Sequence, residues 1–440
     1  MPWYETLLLL SSLLIFLILL GLWIPVAIPI AGLLILVLIG EPLNVSIFAI
    51  VGFNAANSFV LTAIPMFVLM GELLIQGKII ERFYRAALHW LDWLPGQLLH
   101  TNILACAIMA AISGSSVATA GTIGAVAVPN MKKLGYPLAL THGTIAAGGT
   151  LGILIPPSIL MIIYGAVTQT SIAKLFAGGV LPGVLASVLF MAYIFAYALI
   201  YRKRMPIAQP AGPRGEKRSA LRTAADVLPV IILILGVLGA IYMGLATPSE
   251  AGAIGTLLAV LIVASAGELS LARIWISLTT TTRISAMLVF IIAGAQITTY
   301  VLVKTGISSG LANYVTGLGL SEGILIIAIG FTYFVLGMFI DGPSIIYLTI
   351  PLLLPILQGY QFNLIVFGII ATILCEFALI TPPMGLNLFV LKAIDRETPI
   401  GTIVKGIIPF LLILVGIIAI IYYQPSLVLW LANRVGASPA

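Results

Sequence analysis

The chain alternates long apolar runs with short polar or Gly/Pro-rich joints. A helix needs about 20 apolar residues to cross a bilayer. By that measure the first half predicts crossings near 6–23, 25–40, 62–77, 138–168 and 172–200, and the second near 226–245, 250–266, 284–304, 361–392 and 403–423. Two further apolar runs, near 103–130 and 323–356, carry a polar break in the middle: Ser113-Gly114-Ser115-Ser116 in one, Asp341-Gly342-Pro343-Ser344 in the other. Each reads as a re-entrant helical hairpin that enters and leaves on one side, allowed only where protein or water satisfies the broken backbone. Two of the crossings are themselves broken by Pro pairs, at Pro156-Pro157 (138–168) and Pro382-Pro383 (361–392), because proline donates no backbone hydrogen bond and distorts the preceding turn.

These features occur twice in the same order. Gly21 and Pro25 recur as Gly244 and Pro248, Gly71 as Gly294, Gly114 as Gly342, Gly135-Tyr136 as Gly359-Tyr360 and Pro156-Pro157 as Pro382-Pro383, at a nearly constant spacing. Ordered recurrence of this kind indicates a duplicated fold. Five crossings per half is an odd number, so the second half runs inverted relative to the first. The predicted fold is an all-α polytopic membrane protein of two inverted-topology repeats, 1–200 and 224–440, each with about five crossings, one hairpin and one Pro-Pro broken helix, joined by a linker at 201–223.

Composition agrees with this pattern: 61% hydrophobic and 8% charged residues, with a mean hydropathy of +1.21, exclude a soluble domain. The net charge of +6 is not a nucleic-acid signature, because the basic residues flank apolar runs. They are densest in the linker, at Arg202, Lys203, Arg204, Arg214, Lys217, Arg218 and Arg222, which assigns it to the cytoplasm. With both termini outside, only Lys174, Lys304 and Arg434 then fall outside, whereas hairpins counted as full crossings would separate Lys78 from Lys132. The first run, Leu7 to Trp23, lacks a preceding basic residue and a cleavage site, so it reads as a span and not a signal peptide. Residues 81–100, and more weakly 268–280, read as amphipathic helices on the cytoplasmic surface. Cys106 and Cys375 lie in apolar runs and read as packing residues.

The breaks carry the candidate chemistry. Interrupted segments at matching places in two halves are the best sequence pointer to a transporter's binding site. A Gly/Ser-rich tip exposes carbonyl and hydroxyl oxygens that suit a small hard cation, and the nearby helix N-termini favour an anion. The candidate sodium- and substrate-binding residues are Ser113, Gly114, Ser115, Ser116, Gly149, Thr150, Gly152, Pro156 and Pro157 in the first half, and Asp341, Gly342, Pro343, Ser344, Thr381, Pro382, Pro383, Gly385 and Asn387 in the second. Asp341 and Glu376 are acids at costly intramembrane positions; Asp341 reads as a cation attractor or tip cap. Glu250 stands at a helix start, which suits a carboxylate without a transport role, and His142 reads as packing or interfacial.

Ala111-Ile112-Ser113-Gly114-Ser115-Ser116, then Gly149-Thr150-Leu151-Gly152-Ile153-Leu154-Ile155-Pro156-Pro157-Ser158, Tyr164, Ser171-Ile172 and Leu175-Phe176 closely resemble the large membrane subunit of the tripartite ATP-independent periplasmic (TRAP) transporters. Phe67-Val68-Leu69-Met70-Gly71 and Thr381-Pro382-Pro383-Met384-Gly385 extend the resemblance over nearly the whole chain. The resemblance implies sodium-coupled import of a small organic acid across a bacterial inner membrane. It further implies a soluble periplasmic binding protein that delivers the acid, a separate small membrane subunit of four helices, and an elevator mechanism with sodium and substrate held between tips and broken helices. Asn130 departs from the family, standing where many members carry an acid.

No Gly-x-x-x-x-Gly-Lys-Ser/Thr loop is present, so ATP does not drive the cycle directly, no cofactor beyond the coupling sodium ions is expected, and each net positive charge moved inward gains about 2.3 kcal/mol per 100 mV. The competing readings are a stand-alone sodium-coupled dicarboxylate or citrate-type carrier, a channel, and an intramembrane enzyme using Asp341, Glu376 and His142. The last lacks paired-acid or metal spacing.

Overall fold

A computed structural model of the chain describes residues 1–41, 45–91, 93–201, 220–383 and 385–435. Most of the basic linker, at 202–219, and Met384 of the second Pro-Pro motif lie outside the described residues.

The first half contains α1 (Trp3–Leu19), α2 (Ile24–Leu38), α3 (Val45–Ala56), α4 (Ala63–Gln76), α5 (Ile79–Trp90), α6 (Leu98–Ser113), α7 (Ser116–Lys133), α8 (Leu138–Leu154), α9 (Ile159–Thr168) and α10 (Ile172–Ile200). The second contains α11 (Ala220–Tyr242), α12 (Pro248–Ser265), α13 (Leu271–Lys304), α14 (Ile307–Gly317), α15 (Glu322–Gly337), α16 (Gly342–Gly359), α17 (Leu364–Leu379), α18 (Leu386–Ile394), α19 (Ile400–Tyr423) and α20 (Ser426–Ala432). Several starts are fixed by side-chain caps. Ser115, Ser158, Ser171, Ser270 and Ser321 each accept a bond from the N–H three residues on, and Thr247 and Glu250 form a reciprocal capping box. Glu250 thus holds a helix start, as its position suggests.

Eight helices among the described residues are long and apolar enough to cross a membrane. One of them, Gly342–Gly359, is an arm of the predicted second hairpin, and the others fall on predicted crossings. The crossings predicted at 6–23, 25–40 and 361–392 consist of shorter apolar helices.

The two predicted surface segments need correction. The first ends sooner than residue 100: α5 stops at Trp90, and Leu98, Leu99 and His100 are buried in α6. The second is not a separate helix. Residues 271–280 open α13, a continuous helix of 34 residues and therefore about 51 Å long, well beyond the roughly 30 Å apolar core of a bilayer. Its opening turns, which carry Arg273 between exposed Leu271 and Trp275, are the overhang of a long helix. Arg82 on α5 binds this region, with Nη2 donating to the Ala266 carbonyl at 3.1 Å and to Glu268 Oε1 at 3.0 Å, while Arg273 pairs with the other Glu268 oxygen. α3 is a run that the hydropathy pattern leaves unassigned.

Packing sorts the helices into two groups. In one, α4 lies on α12 and α13, α2 on α13, α1 on α2 and α14, and α11 on α5 and α12. In the other, α8 lies against α6, α7 and α19, with α18 on α7, α15 on α17 and α20 on α10. The crossing of α8 and α19 is made backbone to backbone. A Cβ on Gly143 would stand 2.2 Å from the Gly406 carbonyl oxygen, and one on Gly406 1.8 Å from that of Ala139, so only glycine lets the helices come this close. The groups touch where α4 and α5 reach α6 and α4 reaches α9, and α16 lies between them, against α13 and α14 on one side and α9 and α17 on the other.

Candidate functional site

The Ser113–Ser116 break is a tight turn. Gly114 caps α6 with φ +58, in the left-handed region that disfavours side chains, and extended Ser115 opens α7. The turn is bound internally. Ser115 Oγ accepts from Ala118 N at 3.4 Å, Thr119 Oγ1 donates to the Ser115 carbonyl at 2.8 Å, and the Ser113 and Thr119 hydroxyls lie 3.1 Å apart.

This tip sits against the first Pro-Pro break. A Cβ on Gly114 would lie 2.7 Å from the Pro157 carbonyl oxygen and 3.3 Å from the Ile159 nitrogen. From the other side, a Cβ on Gly152 would lie 2.8 Å from the carbonyl carbon and oxygen of Ser115 and 3.0 Å from Ser116 N. The glycines of Gly149-Thr150-Leu151-Gly152 therefore let α8 press directly on the tip. Thr150 itself turns its hydroxyl to the Ala147 carbonyl at 2.6 Å. Pro156 and Pro157 are buried and joined by a cis peptide, and Ser158 caps α9 behind them.

The second half reaches the same place through Asn387. Its Nδ2 donates to Ser116 Oγ at 2.8 Å and to the Ala146 carbonyl at 3.3 Å, fully buried. The second tip arrives from another direction. Asp341 precedes α16 and accepts from the Ser344 hydroxyl at 2.7 Å, with Pro343 in the first turn, and a Cβ on Gly342 would lie 3.5 Å from Leu160 Cδ1 and from Cys375 Cβ. Both tips thus flank the opening turn of α9. The other second-half candidates keep more to themselves: Thr381 bonds the Phe377 carbonyl, Pro382 and Pro383 form a cis pair with Pro383 exposed, and Gly385 turns into α18 with φ +41. Glu376 is wholly buried, and neither of its carboxylate oxygens has a hydrogen-bond partner among the described residues.

At each break one helix ends and another begins, so carbonyl-rich, partially negative C-termini lie beside partially positive N-termini. Such a centre can hold cations and an anion close together. At the far end of α7, about 24 Å along the helix from Ser116, a polar cluster ties it to the α18–α19 loop: Lys132 Nζ binds Asp395 Oδ1 at 3.1 Å and Glu397 Oε2 at 2.7 Å, and Asp395 also accepts from Thr398 Oγ1 at 2.6 Å. Burial pushes the Asp395 carboxyl up, but the bonds from Thr398 and Lys132 outweigh it and hold it down at about 2. His142, buried, bonds the Leu138 carbonyl and faces Asp395 at 3.4 Å.

Residues 12–427 match the family model described as tripartite ATP-independent periplasmic transporter, DctM component. The chain belongs to the DctM family of TRAP transporter large permeases. Among its relatives, the C4-dicarboxylate TRAP transporter large permease protein DctM of Pseudomonas aeruginosa is 35% identical over 403 residues, covering 91% of this chain and 93% of that one. The 2,3-diketo-L-gulonate TRAP transporter large permease protein YiaN of Escherichia coli is 32% identical, covering 88% and 89%, and the sialic acid TRAP transporter large permease protein SiaM of Vibrio cholerae 30%, covering 85% and 86%. The fold is shared with the YdaH transporter of Alcanivorax borkumensis, with a TM-score of 0.59, 14% identity, and coverage of 84% and 86%. DctM is a transporter permease family and not an enzyme family, and its members work with a small membrane subunit and a periplasmic binding protein.

In this DctM chain two residues near the tip escape a motif-based reading. Thr119, fully buried, completes the turn's hydrogen bonds. Glu72, on α4, lines a cavity with Ser113 and Ser115. Its signal in the sequence is that it is the one acid in the apolar stretch 62–77. Asn130 is exposed and only back-bonds to Val126.

Proposed function

We propose that this TRAP permease performs sodium-coupled import of a small organic acid anion across the bacterial inner membrane by an elevator mechanism, with the acid handed over by a periplasmic binding protein and a separate four-helix subunit completing the membrane unit. The observation that carries the proposal is the meeting of Ser115-Ser116, Gly152, Pro157 and Asn387 at one buried point. That is where broken helices from both halves supply oxygens for a hard cation and N-termini for an anion. The relatives named for C4-dicarboxylate, 2,3-diketo-L-gulonate and sialic acid support a carboxylate substrate.

The element order supports two inverted repeats: α6, α7, α8, α9 and α10 are matched in order and near-matched in length by α15, α16, α17, α18 and α19. Ion pairs support the sidedness. Arg82 meets Glu268, Lys132 meets the 395–397 loop, and Lys304 meets Glu41, each pair joining groups assigned to one side, with both termini periplasmic. The hairpin arms, 16 to 18 residues each and so about 24–27 Å, nearly match the apolar thickness, and charge distribution is the ground for reading them as re-entrant. The group built on α8 and α17 carries the site and is the moving body, and the group built on α4 and α13 is the scaffold.

The test is uptake of labelled organic acids into proteoliposomes under an inward sodium gradient, with and without the small subunit and binding protein. Uptake that needs sodium and all three components supports the proposal; sodium-driven uptake by this chain alone replaces it with a stand-alone carrier.

A further inference from the structure

On the α4 side of the first tip lies a cavity of about 50 Å³, lined by Gly71, Glu72, Ser113, Ser115, Ile159 and Ile284 among others. A single water needs about 10–15 Å³ of such space, so the cavity has room for a small ion with one or two waters. α4 comes close to the tip because residue 71 is glycine: a Cβ there would lie 3.1 Å from Ser113 Cα and 3.4 Å from the Ile112 carbonyl oxygen. The next residue, Glu72, is half-buried and hydrogen-bonded to Gln76 one turn on.

The one formal charge at the cavity among the described residues is negative. Ile112 and Ser113 belong to the last turn of α6, where carbonyls without helical partners carry partial negative charge. Glu72 adds a carboxylate beside them, and no Lys, Arg or His lines the cavity among the described residues. The opposing groups are the N-termini of α7 and α9, which reach the cavity at Ala118 and Ile159, and their Ala118 and Met161 N–H groups are already capped by Ser115 Oγ and Ser158 Oγ. A substrate anion is repelled from this place, whereas a small cation finds a carboxylate, a carbonyl and two hydroxyls.

We propose that Glu72, with the end of α6 and the Ser113 and Ser115 hydroxyls, forms a station for a small monovalent cation at the contact between α4 and the first tip. Glu72 belongs to the helix group opposite the tip, so this station exists only while α4 and the tip are in contact. It is distinct from the oxygens between the tip and α8, and it stages the ion on its way to or from them. The inference rests on the sodium-coupled reading above.

Two measurements test it. In proteoliposomes holding the complete tripartite system, Glu72→Gln is expected to raise the sodium concentration for half-maximal uptake about tenfold, equivalent to about 1.4 kcal/mol, while Glu322→Gln, an exposed acid at the start of α15, leaves it unchanged. A sodium curve for E72Q that superimposes on a sodium-responsive wild type overturns the station and leaves the coupling intact; a wild type indifferent to sodium overturns the coupling itself. Independently of folding in the variant, the wild-type chain is treated with an apolar carbodiimide and the adduct at Glu72 followed by peptide mass spectrometry. Sodium, but not choline, is expected to slow labelling at Glu72; a rate that sodium leaves unchanged removes the assignment.

Discussion

Gly152→Ala is the sharpest probe of the tip. The added methyl stands 2.8 Å from the Ser115 carbonyl carbon and oxygen and 3.0 Å from Ser116 N, whereas carbon contacts are comfortable at about 3.5–4.0 Å. Both sides of the contact are backbone, so no side chain can swing away, and the tip must back off by about 0.7 Å if contact is restored along the line of approach. That movement stretches the 2.8 Å bond from Asn387 to Ser116 to about 3.5 Å, beyond useful hydrogen-bond length. Overpacking costs about 1–3 kcal/mol and the lost bond about 1 kcal/mol, offset by about 1 kcal/mol of helix propensity. A net loss of about 1–3 kcal/mol should appear as a fall of a few degrees in the Tm of the purified protein. On the proposed sodium coupling, the same displacement moves ion-binding oxygens of the tip, and half-maximal uptake should need about ten times more sodium, equivalent to about 1.4 kcal/mol. Gly416→Ala, in α19 with nothing within 4 Å of its Cβ, is the matched control and should keep both values. Wild-type Tm and sodium response in G152A would refute the close packing of α8 on the tip.

Asn387→Ala removes the link from the second half to Ser116 and Ala146 and should lower stability by about 1–3 kcal/mol by leaving buried groups unpaired, read as a lower Tm. Asp395 is held at about 2 against an ordinary 3.8, so its contribution, about 2 kcal/mol, is complete above pH ~4 and is lost as pH falls through ~2. The stability gap between wild type and Asp395→Asn should accordingly be flat from pH 7 to pH 5 and close at lower pH; a gap that persists at pH 2 contradicts the assignment. Arg82→Ala frees α5 from Glu268 and the Ala266 carbonyl and should speed amide hydrogen exchange in 79–90 with little change in 98–113.

The breaks were legible in the sequence because their causes are local: glycine permits the left-handed turn at Gly114, and paired prolines interrupt α8–α9 and α17–α18 wherever the chain lies. Element ends near charges were less legible. Arg283 makes the apolar stretch seem to begin there, yet α13 starts at Leu271, because a helix longer than the bilayer keeps its hydrogen bonds through the overhang. α3, twelve residues long, falls short of a crossing and leaves no periodic signal to mark it. The partner of Ser116 is 271 residues away, and no spacing rule connects Asn387 to it. Glu72 escapes the motif reading because in the sequence it is only an isolated acid, and the approach of Gly71 to Ser113 is what gives it a neighbour.

The glycine crossing of α8 and α19 has a mechanical consequence. Two backbones in contact leave no flexible side chain to absorb relative motion, so α19 and α8 form one rigid piece. The inner face of α19, from Ile403 to Ile421, is buried, while Ile408, Leu412, Val415 and Ile420 are exposed on its outside. On the proposed elevator mechanism, a stroke of the site would shear this greasy flank against acyl chains, making lipid the bearing of the movement and tying its speed to bilayer viscosity and thickness.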